Sequence, residues 1–367
     1  MNHRRVAESG VTIVELMIAG LTSSLVVGAI FATVTTSSSM FASQASVAET
    51  QQAGRFGLDM IAGDLGRAGH GATANCLRDP SIVDPVSSCQ PWDVVPGMKA
   101  IHFHDAVGNP LGSAAAFNPS FQPDEIWIMT NPYPGHVLDV AAQSAGSLTI
   151  VQPTTSDAMM QRVLNSHLLL IDQRGTRSFR GGPPLDGILT PGGGIGSEWT
   201  LRVNPPPTAD ALGGETRGYG GSDARISAVA WLRYYLRPVS ALAAKVDLVR
   251  ETWATPRGPV LATDVIADDV VDLQVTFCVD RNFDPLKPPL PPAIQCGIED
   301  EAEVNGFPER LRGATITLRT RSKGEDPNAV FDPAFPLRSY DLDGNTTTGV
   351  ARVRTMVRTA SLMGIGL

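Results

Sequence analysis

Between Val11 and Val34 the chain carries a single ionisable side chain, Glu15, in an otherwise apolar and small-residue run. About 24 residues at roughly 1.5 Å rise make a helix near 36 Å, enough to cross the hydrocarbon core of a bilayer. The order of features around it matters. A secretory signal is basic, then apolar, then cut, so its apolar part is lost. Here Arg4 and Arg5 are followed by Ser9-Gly10 ahead of the apolar run, an order that predicts a cut before the helix and keeps the helix. The same two arginines hold the start in the cytoplasm, and no basic residue follows until Arg55, so the head is expected on the periplasmic side.

Glu15 has a physical logic of its own. A carboxylate in mid-membrane costs about 2.5 to 3.5 kcal/mol on insertion scales, so it belongs near an interface or beside a partner. After a cut at Gly10 the α-amino group of Val11 lies four residues away on the same helix face, and a neighbouring subunit could offer its own amine instead. The alternative is local: Thr12 followed three residues later by Glu15 is a capping box.

The run Gly10-Val11-Thr12-Ile13-Val14-Glu15-Leu16-Met17 resembles the class III leader of type IV pilins. That resemblance implies cleavage between Gly10 and Val11 by a prepilin peptidase, N-terminal methylation of Val11, and a role for Glu15 in assembly. Val11 stands where the family usually has Phe. Major pilins commonly carry a proline in the membrane half of this helix; Val11 to Val34 has none, which favours a minor component.

Beyond Val34 no proline occurs before Gly66, so helix continues for about 55 residues from Val11, roughly 80 Å. Leu58, Ile61, Leu65 and Ala68 share one face and predict packing on the head, while Arg55 and Asp59 are placed to pair. The glycines here lower helix propensity by up to about 1 kcal/mol each, which tertiary contact must offset. The string Ala53-Gly54-Arg55-Phe56, Leu58-Asp59, Ala62-Gly63-Asp64-Leu65 and Ala68-Gly69 resembles PilW-type minor pilins, with J-class pseudopilins of type II secretion as relatives.

The expected organisation is a leader (1–10), a transmembrane half of the helix (11–34), an amphipathic half (35–69), a β-rich first lobe (70–204), a Pro/Gly linker (205–224) and a sheet lobe (225–367). Short alternating runs at 100–104, 125–130, 147–151, 167–172, 225–237, 247–253, 270–280, 313–321 and 350–358 read as strands. The fold class is therefore α+β: a long N-terminal membrane-spanning helix packed on an antiparallel, sheet-rich head, which the resemblance makes pilin-like. Leu232-Arg233-Tyr234-Tyr235-Leu236-Arg237 extends the resemblance weakly into the second lobe. Four cysteines fall as Cys76 with Cys89 and Cys278 with Cys296, neither pair at zinc or redox spacing. In an oxidising compartment two sequential bridges are the simplest of three pairings, each restraining its loop by roughly 3 kcal/mol.

A net charge of −8 and no basic patch argue against nucleic acid. Gly192 to Gly196 lacks the Lys-Ser/Thr of a phosphate loop and reads as a turn. No hydrolase motif stands out, so no enzyme activity is expected. His102 and His104 alternate on one strand face beside Asp105, but without a fixed third ligand they read as ordinary strand residues. Asp341, Asp343 and Asn345 cluster oxygens as a calcium loop would; Gly344 falls fourth and Arg352 twelfth, so it is no EF-hand, and a hairpin turn is the simpler account. Apart from calcium there, no cofactor is expected.

The resemblance implies a structural subunit, held in the inner membrane and then incorporated at or near a pilus tip, where it primes assembly. Its partners would be other minor pilins and the major pilin through helix packing, prepilin peptidase, and a PilY-type tip adhesin. Three alternatives are a J-class pseudopilin, a pilin-anchored adhesin or ligand-binding head acting in cell adhesion, and an exported enzyme cut after Ser43-Gln44-Ala45.

Overall fold

The computed structural model describes residues 11–69, 100–107, 121–133, 135–144, 147–152, 156–164, 166–171, 177–180, 188–202, 225–240, 245–253, 260–284, 287–323, 332, 334–340 and 350–362. The expected leader, the 205–224 linker, Cys76, Cys89 and the Asp341–Asn345 cluster lie outside the described residues. The chain divides into two units, Met1–Glu49 and Thr50–Leu367.

The first unit is the opening of helix α1 (Ile13–Gly66). Its segment Ile13–Ser38 is long and apolar enough to cross a membrane. The hydroxyls in this stretch do not break its apolar character. Thr22 donates to the Ile18 carbonyl (2.9 Å), Ser24 to Leu21 (2.8 Å), Thr33 to Ala29 (2.9 Å) and Thr36 to Ala32 (2.8 Å), so each is satisfied within the helix.

The second unit holds the rest of α1 and the head. In chain order come β1 (Ile101–His104), β2 (Glu125–Thr130), β3 (Val137–Ser144), β4 (Ser147–Val151), α2 (Asp157–Leu164), β5 (His167–Ile171), β6 (Arg177–Arg180), β7 (Ile188–Thr190), β8 (Glu198–Arg202) and β9 (Arg225–Ser240). There follow β10 (Lys245–Trp253), β11 (Val260–Ala267), β12 (Val270–Asp280), β13 (Ile294–Ile298), α3 (Glu301–Gly306), β14 (Leu311–Arg321), β15 (Ser339–Tyr340) and β16 (Ala351–Ser361). The strands form an eleven-stranded sheet and a five-stranded sheet in the order β13-β12-β14-β16-β15, and the paired strands run antiparallel. The fold class is α+β.

Strand β9 organises the larger sheet. Its first residues lie between β3 and β5, with Ile226 opposite both Leu138 and Leu170. Its later residues lie between β2 and β10, with Leu232 opposite both Ile128 and Thr252. Along one face of β9, Ile226 and Ala228 enter a smaller core with Leu138, Ile150, Trp199 and Met160, and further on Leu232, Tyr234 and Leu236 enter the larger one. Val229 and Trp231, on the other face, are buried as well, so both faces of β9 are occupied.

The larger core gathers Leu58, Ile61, Leu65 and Ala68 of the helical segment with β1, β2, β9, β10, β12 and β14. The face read from their spacing is thus the buried one. Strands β1 and β2, in the stretch expected to form a separate first lobe, belong to this larger core because β2 hydrogen-bonds along β9. Asp124 and Gln122, just ahead of β2, tie the two sheets together: Asp124 N donates to the Leu273 carbonyl (2.8 Å) and Gln274 Nε2 to that of Gln122 (2.6 Å).

Candidate functional site

At the helix start the Thr12 backbone N–H and hydroxyl both donate to Glu15 Oε2, at 2.9 and 3.0 Å, and Glu15 N donates back to Thr12 Oγ1 at 3.3 Å. This is the reciprocal capping box that Thr-x-x-Glu predicts. Both Thr12 contacts use Oε2; Oε1 is engaged by neither. Val11 is exposed, and Gly10 lies outside the described residues.

At the other end of α1 the helix enters the head core at two close approaches. A Cβ on Gly54 would meet Met356 Cε and Thr320 Cγ2, and one on Gly57 would lie 3.1 Å from Leu248 Cδ2. These two positions bring the helix onto β14 and β16 on one side and β10 on the other, so contact with both sheets offsets their poor propensity. Polar anchors flank the apolar face. Asp64 accepts from the Tyr234 hydroxyl at 2.5 Å and sits 3.5 Å from Arg250 Nη1, whose Nη2 reaches Asp264 at 3.0 Å. Burial, with the Asp64 carboxylate second, raises the Tyr234 phenol above its ordinary pKa. Asp59, expected to pair with Arg55 along the helix, instead pairs with Arg358 of β16, because a cross-element arginine lies directly over it.

The opposite face of the sheet carries a network centred on Arg233. Its Nη2 reaches Glu125 Oε2 at 2.7 Å and its Nη1 Glu251 Oε2 at 3.5 Å, while the guanidinium lies 4.1 Å from the Tyr235 ring centre. The remaining carboxylate valences are filled. Trp127 Nε1 donates to Glu125 Oε1 (2.5 Å), Tyr235 Oη to Glu251 Oε1 (2.7 Å) and Trp253 Nε1 to Glu251 Oε2 (2.9 Å). Burial and the Glu251 contact push the Tyr235 phenol up to about 12. Each acid is hydrogen-bonded by aromatic and arginine donors, so the arrangement braces β2, β9 and β10 against one another. Only alternation along the separate strands hinted at this cluster.

Between the sheets, Asp124 accepts from Val275 N (2.7 Å) and Ala106 N (3.1 Å), yet burial pushes its carboxyl up to about 7. Next along β1, His102 Nε2 and His104 Nε2 lie 3.0 Å apart, and His104 Nδ1 is 3.3 Å from Glu301 Oε1. Glu301 was not singled out by the sequence, since nearly two hundred residues separate it from the pair.

Cys278 and Cys296 form a disulfide joining β12 to β13. Gly192 to Gly196 is a turn between β7 and β8, with Gly194 and Gly196 at positive φ of 121° and 83°. Comparison with family models, curated proteins and solved structures finds no match to the chain, and any functional reading rests on the residues above.

Proposed function

We propose that the chain is a minor-pilin-like structural subunit, made with a leader ending at Gly10, anchored through the start of α1 and incorporated into a pilus or pseudopilus by helix packing. One observation carries the reading. A single helix, Ile13–Gly66, begins with an apolar segment able to cross a membrane, its one acid in the first turn, and ends as a core element of a β-rich head.

Assembly then works by exchange of surroundings. Leaving lipid is unfavourable for so apolar a segment unless other helices replace the lipid contact. Glu15 gains from the same step: Oε2 keeps its Thr12 cap, and Oε1 takes an α-amino group of its own or a neighbouring subunit. Prepilin peptidase, other minor pilins, the major pilin and a PilY-type tip protein are the partners this proposal requires.

The N-terminal residue of the mature protein, read by mass spectrometry, tests it. Val11 as first residue supports the reading and Ser46 ends it. In pili from cells carrying Glu15→Ala, the subunit should remain in the membrane and be depleted from filaments; normal incorporation would remove Glu15 from the mechanism.

A further inference from the structure

We propose that His102 and His104 form a two-imidazole chelate for a divalent late transition ion, Cu(II) or Ni(II), with Glu301 as the positioning residue. Alternate residues of a strand face the same side, so β1 presents both rings together. The rings meet edge to face with centroids 4.4 Å apart, and their Nε2 atoms converge to 3.0 Å. With metal–imidazole bonds of roughly 2.0–2.1 Å, that separation corresponds to an N–metal–N angle of about 95°. A near-right angle suits tetragonal ions better than a tetrahedral zinc site.

Glu301 supplies what the sequence left undefined. Helix α3 is fixed to β1 by Asn305, which accepts from Phe103 N (2.9 Å) and donates to the Phe103 carbonyl (2.7 Å). This sets Glu301 Oε1 against His104 Nδ1, a carboxylate–histidine pair that keeps the proton on Nδ1 and directs the Nε2 lone pair towards His102. The His104 side chain is 34% exposed, so the remaining coordination positions on that side are left to water. Without metal, His102 Nε2–H donates to His104 Nε2. On binding, His102 shifts that proton to Nδ1, and two nitrogen–metal bonds replace one hydrogen bond.

The test uses the full chain in detergent, stripped with chelator and titrated with CuCl2 or NiCl2, in a His3→Ala background so that His3 does not compete for the ion. Calorimetry should show one saturable site per chain, tighter for Cu(II) than Ni(II). Electron paramagnetic resonance of the Cu(II) form should count two imidazole nitrogens. Glu301→Gln should weaken binding about 10- to 100-fold with both nitrogens retained. His104→Gln, at a part-exposed position, should abolish the site while the metal-free melting temperature stays near the parent's. Absence of saturable binding, a nitrogen count other than two, or a His104→Gln chain that binds like its parent would each overturn the proposal.

Discussion

The carboxylate of Asp64, on the last turns of α1, and the hydroxyl of Tyr234, in the middle of β9, meet at 2.5 Å in the interior of the head. A helix seated by apolar contacts alone could slide or rotate by a turn; this hydrogen bond fixes its register on the sheet. Tyr234→Phe leaves the apolar packing intact and removes the donor, and a charge-assisted bond of this kind contributes about 1.5–3 kcal/mol. We expect a loss of that size in urea unfolding.

Gly54 and Gly63 test whether close approach or mere tolerance placed glycine in the helix. A Cβ at Gly63 meets nothing within 4 Å, so Gly63→Ala should stabilise the head by about 0.5–1 kcal/mol. At Gly54 the added carbon runs into Met356 and Thr320, so Gly54→Ala should forfeit that gain. Met356→Ala should restore it, and a double-mutant cycle of melting curves measures the coupling.

Asp124 predicts a pH dependence with a definite sign. Its folded-state pKa, about 7, lies above the unfolded value, so between about pH 4 and pH 7 the folded chain binds more protons than the unfolded one. Its contribution to stability is therefore greatest at the acidic end and declines as pH rises towards 7, then stays level. Asp124→Asn removes this slope, so parent minus variant should fall across that window by up to a few kcal/mol. Urea midpoints at intervals of pH give the difference directly.

Reduction of Cys278–Cys296 releases a loop with a sequence separation of 18, worth about 3 kcal/mol in the chain-entropy model. The paired substitution Cys278→Ser with Cys296→Ser should lower stability by about that amount. Hydrogen exchange should show β13 losing protection first, because it is an edge strand held by β12 and the bridge.

Thr12→Val separates the local cap from subunit pairing at Glu15. The cap contributes about 1 kcal/mol to the helix start, so its loss should increase fraying of the first turn, seen by exchange in micelles. On the proposed function, filament incorporation should survive Thr12→Val and fail in Glu15→Ala.

Strands β12 and β14 were legible because buried and part-exposed positions alternate along much of each, and β2, β9 and β10 because short runs rich in apolar and aromatic residues mark strands buried over much of both faces. Strand β13 was not: Ile294 to Gly297 are exposed, and the segment is held by its ladder with β12 and by a disulfide, neither of which leaves a local pattern. Strand β11 was missed likewise, with most of Val260–Ala267 exposed. Pairings such as Asp59 with Arg358, or His104 with Glu301, join residues about two to three hundred positions apart, and a helix-local rule placed Asp59 with Arg55 instead. The capping box was legible because its partners lie three residues apart.

Strand β9 belongs to both cores without a break, and that has a mechanical consequence. Tension applied to the smaller core passes along one covalent backbone into the larger one, with no hinge to extend first. Antiparallel ladders on both edges of β9 then resist in shear, many hydrogen bonds at once, instead of unzipping singly. A head built this way transmits a pull as a stiff element.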